Sequence, residues 1–143
     1  MAKAIHSMIR VLEEARSVAF YQQAFGLTVA DRLDFDSFTL LYLSNRESGC
    51  EVELSVNKGR TEPYGLGDGY GHLAVSVADV AAEHARMTEA GLAPRKLGDF
   101  APAGTVMRAF SSSPTRMATR SRFCNGAAAI FDLTNRQKRE EDQ

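Results

Sequence analysis

Three residues of this chain have the types and placement to hold a divalent metal ion: His6, Glu53 and His72. An imidazole offers a nitrogen lone pair and a carboxylate a hard oxygen. Two imidazoles and one carboxylate converging in a cleft would suit Zn, Ni, Mn or Fe. A single histidine at the start of a strand is more often structural. These two gain weight because the sequence repeats itself around them. Residues 6–27 read H-S-M-I-R-V-L-E-E-A-R-S-V-A-F-Y-Q-Q-A-F-G-L, and residues 72–92 read H-L-A-V-S-V-A-D-V-A-A-E-H-A-R-M-T-E-A-G-L. Each is a short apolar strand led by histidine, an acidic turn, and an amphipathic helix closed by Gly-Leu. His6 and Gly26 are 20 positions apart and His72 and Gly91 are 19 apart, too close a match for chance. The first copy runs on to a strand bearing Glu53. The second has no counterpart, because no Asp or Glu lies between Asp99 and Asp132.

The elements that must position these residues follow from hydrophobic periodicity. Residues 4–11 alternate as a strand, with Ile5, Ser7, Ile9 and Val11 on one face and Ala4, His6, Met8 and Arg10 on the other. Residues 13–25 form a helix whose inward stripe is expected at Ala15, Val18, Ala19, Gln22 and Phe25, with Gly26 as the left-handed residue after it. Strands are expected at 28–33, 38–43 and 51–56. In the last, Glu51, Glu53 and Ser55 share one face and Val52, Leu54 and Val56 the other. A Gly-rich connection, residues 57–71, leads to a strand at 72–77, a helix at 79–90 with Asp79 as an N-cap or first-turn acid, a strand at 92–97, a loop at 98–104 and a strand at 105–110. The fold class is α+β: tandem βαβββ modules forming two half-barrels around a shared cleft. The last strand of the second module is the one element the pattern does not supply.

Bulk properties narrow the function. A length of 143 residues is enough for one domain or two small modules. A net charge of −1 gives no electrostatic case for nucleic acid or an anionic membrane. No apolar run approaches the roughly 20 residues that span a bilayer. The opening M-A-K-A-I-H-S-M-I-R carries no secretory signal, and two cysteines, Cys50 and Cys124, give no disulfide framework, so a cytoplasmic protein is expected.

The chain resembles glyoxalase I (lactoylglutathione lyase) of the vicinal-oxygen-chelate superfamily. The matching segments are H-S-M-I-R-V at 6–11, F-Y-Q-Q-A-F-G-L at 20–27, E-V-E-L-S-V-N at 51–57 and Y-G-H-L-A-V-S-V at 70–77. The resemblance covers residues 5 to about 110. It implies a metal-dependent homodimer with sites at the subunit interface. His6, Glu53 and His72 correspond to metal ligands, and Arg10 and Asn57 to glutathione contacts. Nickel or zinc comes first among the metals, then manganese, cobalt or iron. The implied reaction converts the hemithioacetal of methylglyoxal and glutathione to S-lactoylglutathione: the metal polarises the substrate oxygens and a carboxylate moves a proton between adjacent carbons. Glu53 is the catalytic carboxylate that this chain retains. In the family the favoured base is also a fourth ligand, on the last strand of the second module, in a motif close to D-P-D-G-Y-x-I-E. The alternatives are another activity of the superfamily (an extradiol dioxygenase or a thiol transferase acting on an antibiotic) or a non-enzymatic small-molecule-binding module.

Residues 111–126, S-S-S-P-T-R-M-A-T-R-S-R-F-C-N-G, have neither alternation nor acid. The genetic code accounts for them. The ending F-F-I-A-D-P-D-G-Y-K-I-E-V-L-Q-R-G, written in GC-rich codons and read one nucleotide out of frame, yields that same string. We read this as a frameshift near codon 110, with residues 127–143 as read-through and poorly ordered, so that the single glyoxalase-like domain spans 1–126 (modules at about 4–57 and 70–126). The family's glutamate then falls at about Arg122. A natural divergent tail, with Arg116, Arg120 and Arg122 as a solvated basic face, leaves the out-of-frame match unexplained.

Other residues have plainer readings. His84 is expected at the surface of its helix, and Cys50 has no neighbouring base to activate it. The glycines of residues 65–71 lack the Gly-Lys-Ser/Thr ending of a phosphate loop and precede a strand. Tyr64 and Tyr70 are candidates to line a cleft mouth, and Lys58 and Arg60 to attract an anion or simply to be solvated.

Overall fold

The computed structural model describes residues 1–65, 72–100, 107–111 and 121–125. The chain divides into two compact units, Met1–Tyr64 and Gly65–Gln143. No helix among the described residues is long and apolar enough to cross a membrane.

The first unit contains β1 (His6–Val11), α1 (Glu14–Phe25), β2 (Thr28–Asp34), β3 (Phe38–Ser44) and β4 (Glu51–Asn57). Its sheet has the order β1-β4-β3-β2, with β1 parallel to β4 and the other pairs antiparallel. A parallel pair needs a long crossover, which α1 and the β2–β3 hairpin supply. One face is the core: Ile9 and Val11 of β1, Thr39, Leu41 and Leu43 of β3, and Val52 and Leu54 of β4 are buried. Each aliphatic side chain so covered contributes about 1.5–3 kcal/mol.

The inward stripe of α1 is Ser17, Tyr21 and Ala24, not the expected set. Ala15, Ala19 and Gln22 are exposed, and Val18 and Phe25 are half-buried at its shoulders. The helix is rotated so that Tyr21, fully buried, fills the space over the sheet. With Val18 and Phe25 only at the shoulders, the centre of the expected stripe is alanine and glutamine, too small and too polar to fill that volume in a densely packed core. Gly26 ends the helix as expected, at φ 64°, with its N–H on the Gln22 carbonyl at 2.9 Å.

The second unit contains β5 (Leu73–Val77), α2 (Val80–Glu89), β6 (Gly98–Phe100), β7 (Met107–Ser111) and β8 (Ser121–Asn125). Its order is β5-β8-β7-β6, with β5 parallel to β8, so it repeats the topology of the first. Asp79 is the N-cap of α2, and its carboxylate accepts the Ala82 N–H at 3.0 Å. The strand expected at 92–97 is absent. Leu92 N–H is held by the Met87 carbonyl, Ala93 has φ 49°, and Pro94 has no N–H to give a ladder. The Arg95 carbonyl meets Nε2 of His84 at 2.9 Å, which gives that histidine a structural partner. The strand β6 falls where a loop was expected. The final strand missing from the sequence pattern exists as β8, paired with both β5 and β7. Residues 127–143, with the expected read-through tail, lie outside the described residues.

A Cβ at position 26 would meet nothing within 4 Å, so substitution there tests backbone strain alone. Gly26→Ala is expected to lower unfolding stability by about 1–2 kcal/mol in urea titration. An unchanged midpoint would show that the left-handed turn is not required.

Candidate functional site

The open face of the first sheet carries the chemistry. In a strand, alternate side chains share a face, so His6, Met8 and Arg10 of β1 lie on the side opposite buried Ile9 and Val11. The parallel register sets Met8 against Glu53 and Arg10 against Ser55. β3 lies on the other flank of β4 and sets Tyr42 against Glu53. Glu53 is therefore in the middle of the sheet with a strand on either side. It is only 8% exposed, although it is an acid on the open face.

A buried carboxylate is costly unless its oxygens are engaged. Oε2 of Glu53 lies 3.1 Å from Nε2 of His6, which reaches diagonally across from β1. The Tyr42 phenol stands beside the same carboxylate from the other flanking strand. The His6 and Tyr42 rings meet edge-on, with centroids 5.5 Å apart and planes at 67°. Burial, then the Glu53 carboxylate, hold the Tyr42 phenol above its ordinary value, so it stays neutral. Tyr42 was not anticipated. Its signal was the alternation of β3, but the hairpin register that puts it opposite Glu53 is not written in that alternation.

Two expected ligand contacts lie further along the same face. Arg10 is exposed two residues beyond Met8. Asn57 closes β4, half-buried, and its Nδ2 donates to the Tyr64 hydroxyl at 2.9 Å. Lys58, by contrast, is turned away into an ion pair with Asp34 at 3.6 Å. Cys50 is exposed and free. Tyr70 and most of the glycine run lie outside the described residues.

His72 belongs to the second unit, immediately before β5, where it takes the place that His6 has at the head of β1. Two residues on, Ala74 pairs with Arg122 of β8. In the first unit, the residue two beyond His6 is Met8, and its partner is Glu53. Arg122 thus holds the register position equivalent to that of Glu53. Among the described residues no cluster of three or more His, Cys, Asp or Glu is drawn together. His6 and Glu53 are the two candidate ligands brought into contact.

The sequence pattern of the glyoxalase/bleomycin resistance protein/dioxygenase superfamily matches residues 3–132. The chain belongs to this superfamily. Among its relatives, a lactoylglutathione lyase of Haemophilus influenzae is 34% identical over 116 residues, covering 77% of this chain and 84% of that protein. A lactoylglutathione lyase of Neisseria meningitidis is likewise 34% identical, covering 77% and 82%. In three dimensions the chain is similar to a trypanothione-dependent glyoxalase I of Leishmania major, with a TM-score of 0.69, 26% identity, and 99% and 95% of the two chains covered. The repeated βαβββ topology is the arrangement expected of this superfamily, and the vicinal-oxygen-chelate resemblance holds.

The dependence of the buried carboxylate on its imidazole is measurable. With chelator present, His6→Ala is expected to lower stability by about 1–3 kcal/mol, because Glu53 loses a partner without regaining water. In a Glu53→Gln background the same change should cost less. Equal costs in the two backgrounds would mean that the pair is not coupled.

Proposed function

We propose that this chain is a glyoxalase I-type scaffold for isomerising the methylglyoxal–glutathione hemithioacetal to S-lactoylglutathione, impaired by loss of one carboxylate. The observation that carries this reading is the buried Glu53 carboxylate, 3.1 Å from the His6 imidazole and opposite Tyr42 in the sheet, in a chain 34% identical to lactoylglutathione lyases.

A buried anionic oxygen and an imidazole nitrogen converging on one point fit a borderline divalent ion such as nickel or zinc. We assign His6, Glu53 and His72 as its ligands, with manganese, cobalt or iron as substitutes. Such an ion, when bound, would polarise the two neighbouring oxygens of the substrate and make the intervening C–H acidic. The Glu53 carboxylate would take the proton from the carbon next to sulfur and return it to the adjacent carbon. The hydroxyl-bearing carbon becomes the thioester carbonyl and the former ketone becomes the alcohol, so no atom is gained or lost. Tyr42, across the sheet from Glu53, covers the carboxylate as a neutral phenol. Arg10 supplies a cationic partner for a carboxylate of the thiol, and Asn57 a polar contact. Glutathione as the thiol, a homodimeric assembly and a cytoplasmic location complete the reading.

Strand register and codons bear on the impairment together. Arg122 stands where the repeat calls for a second carboxylate, and the out-of-frame reading puts the family's glutamate at the same position. A guanidinium supplies neither a ligand lone pair nor a base.

Restoring D-P-D-G-Y-K-I-E in place of the present ending, with both proteins metal-loaded, tests this. Thioester formation from methylglyoxal and glutathione should rise by roughly 10²–10⁴ over the chain as it stands. Equal activity before and after restoration would overturn the frameshift and the lyase reading alike.

A further inference from the structure

The segment after β4 folds back on itself at Asn57. Gly59 turns the chain at φ 78°, and the Arg60 N–H returns to the Asn57 carbonyl at 3.4 Å. The Lys58 N–H is fixed on the Ser37 carbonyl at 3.0 Å, which anchors the turn to the β2–β3 hairpin. Arg60 then spends its guanidinium within the loop. Nε donates to the Glu62 carbonyl at 2.8 Å and a terminal nitrogen to the Pro63 carbonyl at 3.2 Å. The plane so held lies 4.0 Å from the centroid of the Tyr64 ring. A cation over an aromatic face fixes the ring as well as attracting it. At the end of this chain of contacts, the Tyr64 hydroxyl accepts the Asn57 Nδ2 proton at 2.9 Å.

We propose that Tyr64, clamped by Arg60, is a positioning residue that holds the Asn57 amide in place for the polar end of the thiol ligand. A carboxamide presents a carbonyl on one side and two N–H groups on the other. An asparagine side chain at the open end of a strand, with no partner, would be free to swing about its χ angles. The bond to Tyr64 uses one Nδ2 N–H and pins the amide in place, leaving Oδ1 as an acceptor and the second N–H as a donor. Tyr64, having accepted, keeps its own O–H to donate. Asn57 and Ser55 share the face of Glu53, and Arg10 pairs with Ser55. The pinned amide therefore belongs to the same surface as the proposed proton-transfer carboxylate. The lengthy internal bonding of Arg60 makes sense on this view: it is a brace, not a loose surface charge.

The inference rests on the glutathione-type reading above, and one titration separates the two. S-methylglutathione is titrated calorimetrically into the metal-loaded full chain, its Tyr64→Phe and Asn57→Ala variants, and the double variant. Tyr64→Phe keeps the ring and its stacking and removes only the hydroxyl. It is expected to weaken binding on the order of 5–10-fold, and to have no further effect once Asn57 is alanine. The Asn57 side-chain N–H resonances should shift in Tyr64→Phe without ligand, while the backbone spectrum stays folded. No binding to the unaltered chain would overturn the thiol reading and this inference with it. Binding to the unaltered chain with full affinity retained in Tyr64→Phe, or a loss of equal size in the Asn57→Ala background, would overturn the positioning role alone.

Discussion

Everything at the candidate site depends on a carboxylate being kept out of water. Glu53 sits on the middle of a sheet face at 8% exposure, where an ionised acid without partners would cost several kcal/mol. Two neighbours make that tolerable: the His6 imidazole on one flanking strand and the Tyr42 hydroxyl on the other. Neither is adjacent to Glu53 in sequence. They meet it only because β1 runs parallel to β4 while β3 runs antiparallel, in a register that puts Met8 and Tyr42 on either side of it. The hydrophobic face beneath, from Ile9 through Leu41 to Leu54, holds that register, because a one-residue slip would expose the core and bury the polar row.

The second unit reuses the same device without its central group. Its strand order is that of the first, its histidine stands at the equivalent place, and its parallel pair has the equivalent register. What differs is chemistry at one position, arginine instead of an acid. Strand pairing places Arg122 at the position that Glu53 holds in the first unit, and base triplets read out of frame lead to the same residue. A strand still forms there because backbone pairing with β5 and β7 asks little of side-chain identity, whereas ligation and proton transfer ask for a carboxylate.

Much of this was legible in the sequence, for identifiable reasons. Alternation tells which face a strand residue occupies, so His6, Arg10 and Glu53 could be assigned to one surface and Ile9 and Leu54 to the other. Capping chemistry is local, so Gly26 and Asp79 were readable at the two helix ends. What was not legible depends on pairing or volume. Tyr42 required the β3–β4 register. The burial of Ser17, Tyr21 and Ala24 in place of the expected stripe was decided by the space over the sheet, which favours one tyrosine over several alanines. The strand expected at 92–97 was undone by three local features, a left-handed Ala93, a proline, and an Arg95 carbonyl taken by His84. β8 escaped notice because five residues without clean alternation carry no periodic signal.

On the proposed function, His6 and Glu53 meet at 3.1 Å as two ligands of one divalent ion. The most direct measurement is the metal content of the purified chain and its Glu53→Gln variant after loading with nickel or zinc and desalting, with X-ray absorption on the bound ion. The expected result is one ion per site with imidazole nitrogen and carboxylate oxygen in its coordination shell, lost in the variant while the circular dichroism spectrum is retained. Metal below stoichiometric amounts in the loaded chain, or equal retention after Glu53→Gln, would contradict it.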